Sequence, residues 1–252
     1  MEDNSIQLRK QGSVTFIRIQ NGEKNCINAK LIDELTSALE ECERDSNVVV
    51  LEGNDKYFCY GADFAQISDN TVNKTGTNAN PATLFDLWKK MSEMPCIIIS
   101  HVQGAVNAGG VGFVSASDIV IASPDAAFSL SELLFGLMPA MVMPFLIRRI
   151  GYSKANFMTL TTRAIDCNKA KDFGLVDILS DNSTADLRKL LARISKIPKD
   201  GIERYKRYVN KLSPIDEDIR TKAIDANLEV FTDEVNLKRI ADFTLSGKYP
   251  WE

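Results

Sequence analysis

The sequence predicts an α/β fold, with a core over residues 1–186 and a helical subdomain over 187–252. Three observations carry this expectation. A strand-like segment, a 3.6-period segment and a second strand-like segment follow one another near the N-terminus. Short buried runs then recur between helical stretches as far as Ala122, and beyond about Leu187 the chain becomes charged and helical by pattern. At 252 residues the chain fits one large domain, or a main domain with a helical tail, and either buries a sizeable core.

In order, Val14 to Ile19 alternates as a strand does and is followed by a turn at Asn21 and Gly22. After Asn28, apolar residues at Leu31, Ile32, Leu35, Ala38, Leu39 and Cys42 mark one face of a helix. Val48 to Leu51 reads as a short buried strand ending at Gly53, so this unit is expected to be a βαβ crossover. Lys56 to Cys59 is a further strand. Ser68 to Thr83 is rich in Asn and Thr with hardly an apolar anchor, and reads as a loop beside the site. Leu84 to Met91 is a helix, and Cys96 to His101 and Ile119 to Ala122 are buried strands. Helices follow from about Met143, with Gly151 and Gly174 as candidate terminators.

The bulk numbers remove several functions. A net charge of −4 gives no global basic field for nucleic acid or an anionic membrane. Arg148, Arg149 and Lys154 form one small basic cluster, and Arg204, Lys206 and Arg207 form another that reads as solvated helix surface. Five dispersed cysteines without a CxxC pair, together with one histidine, argue against a zinc site and a disulfide framework. The N-terminal MEDNSIQLRK has no apolar signal core, and no run reaches the ~18 uncharged apolar residues of a membrane helix, so the cytoplasm is expected.

Chemistry concentrates in two places. Between Asp125 and Arg148 the single ionisable side chain is Glu132, set in FSLSELLFG. A carboxylate desolvated there would have a raised pKa suited to carrying protons. The competing reading is a solvated helix start capped by Ser129 or Ser131. Two small-residue turns follow predicted strands, Tyr60-Gly61-Ala62-Asp63 and Asn107-Ala108-Gly109-Gly110-Val111-Gly112, and such turns let backbone N–H groups approach a ligand oxygen. The second lacks Rossmann spacing and a P-loop lysine. His101 ends an apolar strand and reads as a satisfied core histidine, and Asp118 as a structural buried carboxylate.

The series GADF (Gly61 to Phe64), VNAGGVGFVSASDIVIA (Val106 to Ala122), FSLSELLFG, FLIRRIG (Phe145 to Gly151) and AKDFGLVD (Ala170 to Asp177) resembles the crotonase, or enoyl-CoA hydratase/isomerase, superfamily over nearly the whole chain. The resemblance implies a spiral ββα core, a C-terminal helical trimerisation region, and a homotrimer or dimer of trimers. It also implies an acyl thioester on a pantetheine arm, carried by coenzyme A or an acyl carrier protein, whose carbonyl oxygen the Ala62 and Gly109 N–H groups would hold as an oxyanion hole. No metal and no further cofactor are expected.

One departure from the hydratase pattern matters. Hydratases of this superfamily carry two glutamates; here the first position is Gly112 and the second is Glu132. Single-carboxylate chemistry follows: dehydration, double-bond migration or decarboxylation. FCYGADF, SHVQGAVNAGGVGFVSASDI, PFLIRRIG and the terminal GKYPWE are similar to the first of two hydratase-like enzymes in polyketide β-branching cassettes. That likeness implies dehydration of a 3-hydroxy-3-methylglutaryl group on an acyl carrier protein, with Glu132 as proton carrier. Asp63, next to the first donor, is either an orienting group or a turn cap. Lys24 and Lys56 are expected to meet the carrier phosphates; Arg148 and Arg149 are candidates for the distal carboxylate, but an arginine here is common across the superfamily and both read as structural. An enoyl thioester isomerase or decarboxylase of the same superfamily, and a non-catalytic trimeric scaffold, are the alternatives.

Overall fold

The computed structural model describes residues 4–65, 67 and 80–252. Two sheets organise it. The strands of the larger run in the order β1 (Ile6–Gln11), β2 (Val14–Ile19), β3 (Val48–Glu52), β5 (Ile97–Val102), β7 (Ile119–Ala122), β10 (Ile178–Leu179). The smaller runs β4 (Tyr57–Cys59), β6 (Ala105–Asn107), β8 (Ala127–Ser129), β9 (Ile165–Asp166). Consecutive strands therefore divide between the sheets: β3, β5 and β7 pair in parallel in the large sheet, and β4, β6 and β8 pair in parallel in the small one. Helices α2 (Pro81–Glu93) and α3 (Gly109–Ala116) lie between successive strand pairs. The result is the ββα spiral that the resemblance implies.

The expected N-terminal unit forms. Helix α1 (Ala29–Asp45), capped by the Asn28 side chain on the Leu31 N–H, links β2 to β3, whose parallel register starts at Val14 and Val48. The large sheet is covered on both faces, which is why its central strands read as unbroken apolar runs. Ile17, Ile19, Val49 and Leu51 face the main core, whereas Val14, Phe16, Val48 and Val50 face Leu187, Leu191 and Ile194 of α7 (Ser183–Ile194). Burying these three α7 side chains is worth about 2 kcal/mol each. The division expected at 186/187 thus falls inside α7, and α7 packs on the core sheet.

Several elements differ from expectation for local reasons. β1 was hidden because it is a charged edge strand, exposed along most of its length, held by an antiparallel hairpin to β2 with Gly12 at φ +61 in the turn. Helix α2 begins three residues before Leu84, since Asn80 caps it and Pro81 occupies its first turn. The expected loop at 68–83 overlaps that start, and its residues 68–79 lie outside the described residues. The segment at Gly109–Gly112 is the first turn of α3 rather than an open loop, with β6 inserted before it. Gly151 and Gly174 end α4 (Met143–Ile150) and α6 (Cys167–Phe173), with α5 (Tyr152–Thr161) between.

The remaining helices are α8 (Lys199–Leu212), α9 (Glu217–Thr232) and α10 (Glu234–Ser246). One basic residue of α8 is not surface. Lys206 is 3 % exposed, and its Nζ donates to the Met91 and Cys96 carbonyls and to Asp118 Oδ2, at 3.1, 3.0 and 2.9 Å. Arg204 and Arg207 do lie in solvent, paired with Asp200 and Glu203. Helix α10 meets the segment after β8 in a third, smaller apolar cluster of Phe135, Leu137 and Ile240. No described helix is long and apolar enough to cross a membrane.

Candidate active site

A cavity of about 760 Å³ opens between the two glycine segments, the segment after β8 and the C-terminal helices. Ala62, Asp63, Gly109 and Glu132 all line it, and so does Lys24. Positions as far apart in the sequence as Lys24 and Glu132 therefore line one cavity.

Glu132 opens a short 3₁₀ helix (Glu132–Phe135) that ends at Gly136, whose φ of +77 lets its N–H return to the Glu132 and Leu133 carbonyls. Asn236 of α10 donates from Nδ2 to the Gly136 carbonyl at 3.1 Å and so ties this turn to the C-terminal helices. The Glu132 residue is 8 % exposed. Burial pushes its carboxyl from an ordinary 4.5 up to about 7, with its own backbone N–H opposing weakly. Oε2 has no hydrogen-bond partner among the described residues. The solvated-cap reading fails here: Ser131 makes no side-chain cap bond, and both serines turn elsewhere.

Those serines belong to a chain of hydrogen bonds. Ser129 Oγ donates to Asn107 Oδ1 at 2.8 Å, and Asn107 Nδ2 donates to Ser131 Oγ at 3.0 Å. Asn107 and Ser129 sit opposite each other in the β6–β8 register, and all three residues line the cavity. None was singled out as a site residue from sequence. Their signal is the pairing of two strands too short to recognise.

The two backbone donors are positioned by different means. Ile27 donates to the Gly61 carbonyl and Asp63 donates to the Ile27 carbonyl, at 2.7 and 3.3 Å, so the intervening Ala62 N–H turns away from Ile27. Gly109 is the first residue of α3, where an N–H has no acceptor within the helix. Ala108 before it is held at φ +50, a costly conformation for a residue with a side chain. The two segments touch: a Cβ on Gly61 would lie 2.8 Å from Ala108 Cβ and 3.4 Å from the Gly109 nitrogen. Neither N–H has a protein acceptor among the described residues.

Gly112 explains the missing second carboxylate in physical terms. A Cβ there would lie 2.6 Å from Cε2 and Cη2 of the Trp88 indole. Trp88 is fully buried, lines the cavity, and packs edge-on against Phe113 and Phe145. The indole occupies the volume that any side chain at 112 would need.

Other expected site residues lie apart. Lys56 is exposed in the turn before β4 and does not line the cavity. Arg149 is committed to the Leu175 and Ser117 carbonyls and to Asp177, and Arg148 bonds Asn210 on α8; neither lines the cavity, which accords with the structural reading of both and not with a distal-carboxylate role. His101, 2 % exposed, bonds Glu52 and Ser183 through its two ring nitrogens at 2.9 Å each, as a satisfied core histidine does. Asp118 accepts from the Ile98 N–H and from Lys206, a structural duty, but it lies exposed at the end of that pair and not buried as expected. Asp63 lies before helical residues 64, 65 and 67 and its carbonyl accepts from the Ile67 N–H, which places it at a helix start as well as in the cavity wall. No group of three or more His, Cys, Asp or Glu among the described residues is arranged to hold a metal.

The profile of the enoyl-CoA hydratase/isomerase family matches residues 9–251. The chain belongs to that family. Within it, the chain is 44 % identical over 250 residues to the bacillaene synthase dehydratase PksH of Bacillus subtilis (strain 168), covering 98 % of this chain and 96 % of the relative. The crystal structure of PksH from Bacillus subtilis superposes with a TM-score of 0.94 over 98 % of this chain and 99 % of that one. The 2,3-dehydroadipyl-CoA hydratase of Escherichia coli (strain K12) is 30 % identical over 191 residues, 74 % of this chain and 73 % of the relative. The crotonase fold and the family's place among hydratase enzymes are thereby established for this chain.

Proposed function

We propose that the chain is a dehydratase of polyketide biosynthesis, acting in β-branching on 3-hydroxy-3-methylglutaryl carried by an acyl carrier protein and giving the 3-methylglutaconyl thioester. One observation carries the reading: among the described residues the cavity holds a single desolvated carboxylate, Glu132, beside a position where Trp88 leaves no room for a second. The 44 % identity to a bacillaene synthase dehydratase supports the polyketide setting.

In the reaction, the thioester oxygen lies on the Ala62 and Gly109 N–H groups, which stabilise the enolate that forms when the Glu132 carboxylate removes a C2 proton. The electron pair left at C2 then forms the C2–C3 double bond as the C3–O bond breaks. Glu132 returns its proton to the departing oxygen, so one water is lost and the carboxylate is regenerated. A carboxyl near pKa 7 suits both halves of this cycle, since it takes a proton and gives it up at similar cost. Asp63, at the edge of the first donor segment, is assigned to orienting that oxygen or its water.

Lys24 is exposed at the cavity wall, with its Nζ 5.5 Å from the centre of the Tyr60 ring. We assign it to the phosphate of the pantetheine arm, while an acidic carrier docks around it. Replacing Lys24 with Glu should then raise KM about tenfold for carrier-bound substrate and hardly at all for a short thioester mimic. Exposed apolar side chains on α5 and α8, including Tyr152, Leu160, Tyr205 and Tyr208, suit the homotrimer or dimer of trimers, which sedimentation would weigh directly.

The reaction is tested by intact mass spectrometry of an acyl carrier protein bearing 3-hydroxy-3-methylglutaryl. Loss of one water on incubation supports the reading. Loss of water and carbon dioxide would add decarboxylation to the same site. An unchanged mass, with double-bond migration in a 3-enoyl thioester, would move the assignment to an isomerase.

A further inference from the structure

Hydrogen-bond direction in the cavity wall leads further, and the argument rests on the dehydratase reading above. A serine hydroxyl has one proton and two lone pairs. Ser129 spends its proton on Asn107 Oδ1, which fixes the amide so that Nδ2 points at Ser131 and occupies a lone pair of Ser131 Oγ. The Ser131 proton has no acceptor among the described residues. The relay thus ends in one unspent O–H donor, on the residue that precedes Glu132 and in the wall of the same cavity.

The charge balance of the cavity gives that donor a task. Lys24 is the single Lys or Arg among the described residues lining it, and Lys24 is exposed. Negative charge developing on an oxygen near Glu132 must therefore be met by neutral donors. The thioester oxygen has its two backbone N–H groups on the Ala62 and Gly109 side. The oxygen that leaves C3 has no donor from that pair, and it must lie within reach of the carboxyl that protonates it.

We infer that Ser131, with its hydroxyl aimed by Asn107 and Ser129, donates a hydrogen bond to the C3 oxygen of the substrate as the C–O bond breaks. Ser131 is then a catalytic residue of the elimination half-reaction, and Asn107 and Ser129 are positioning residues. Glu132 serves both halves of the cycle, but Ser131 serves only the second. This separates two readouts that a structural role would move together.

The experiment compares the wild-type enzyme with Ser131→Ala and Asn107→Ala, each verified as folded by its melting transition. One readout is dehydration of 3-hydroxy-3-methylglutaryl on the carrier protein. The other is exchange of C2 protons for deuterium in a 3-methylglutaryl thioester, which has no hydroxyl to lose. Ser131→Ala should lower kcat for dehydration about a hundredfold, and Asn107→Ala about tenfold because the hydroxyl survives but loses its aim. Exchange should stay within about twofold in both variants. A 3-hydroxy-3-methylbutyryl thioester, which lacks the distal carboxylate, should show the same Ser131→Ala penalty.

Equal losses in dehydration and exchange would overturn the inference, because Ser131 would then be supporting Glu132 rather than the leaving oxygen. Unchanged dehydration would overturn it as well. So would a penalty that vanishes with the 3-hydroxy-3-methylbutyryl substrate, since Ser131 would then be reading the carboxylate. A wild-type enzyme that exchanges C2 protons without dehydrating would instead refute the dehydratase reading itself, and the inference would fall with it.

Discussion

Replacing Glu132 with Gln should stabilise the free protein at neutral and alkaline pH while removing its chemistry. Folding carries this carboxyl from an ordinary 4.5 to about 7. The folded state therefore binds more protons than the unfolded state between those two values, and stability must fall as pH rises through that window. At about 1.4 kcal/mol per pH unit, the full penalty is about 3 kcal/mol and is complete above about pH 7. Glutamine has no charge to desolvate and escapes it. Its amide brings a cost of its own in a site where Oε2 lacks a partner, but that cost does not depend on pH. The discriminating quantity is the pH dependence of the difference between the two proteins, measured by urea denaturation from pH 5 to 9 without ligand. Relative to wild type, the Gln variant should gain about 3 kcal/mol across the lower part of this range and then level off. A difference that stays constant from pH 5 to 9 would refute the claim that Glu132 is held desolvated at the expense of stability.

Three further outcomes follow from particular contacts. Because the base must be ionised, kcat/KM of the wild-type enzyme should climb about tenfold per pH unit below about 7 and flatten above it; a profile flat down to pH 5 would remove Glu132 as the base. Gly112→Ala should cost about 3 kcal/mol in chemical denaturation, since its Cβ meets a fully buried indole held between two phenylalanines, and a further Trp88→Leu exchange should recover part of that loss. Lys206→Met should destabilise by about 3 kcal/mol, because it strands the Met91 and Cys96 carbonyls and takes the cation from exposed Asp118. Thermal or urea midpoints would report it, with little change expected in KM.

Much of the fold is written in local pattern. Helix α1 and the flanking strands follow from Asn28, a 3.6-residue apolar period and two apolar runs, and the structure realises all three. What periodicity misses is what tertiary context supplies. β1 carries too many charges to look like a strand and exists because it can pair with one edge of β2. β6, β8 and β9 are two or three residues long and are defined by their neighbours in the small sheet. Lys206 looks like surface on a charged helix, yet its ammonium is surrounded by two carbonyls and a carboxylate drawn from distant elements.

The site divides the same way. Glu132 was legible because it is the lone charge in an apolar stretch, and the structure keeps it buried in the cavity wall. Ala62 and Gly109 were named from motif, and the segments that carry them approach each other at Gly61 and Ala108. Arg148 and Arg149 read as structural, but nothing in FLIRRIG names the partners their guanidinium groups find on α8, at Ser117 and at Asp177. The Trp88–Gly112 approach and the Ser129–Asn107–Ser131 relay join separate segments, so no single window of sequence contains either.

The central claim is that one carboxylate carries the proton in both directions. Its most direct test is the dehydration rate of carrier-bound 3-hydroxy-3-methylglutaryl by wild type and Glu132→Gln, followed by intact mass at matched, verified folding. The account requires the Gln variant to lose at least about a thousandfold in kcat while still binding the loaded carrier. A variant that removes water at a rate near that of wild type would contradict it and send the search for the proton carrier to another residue of the cavity.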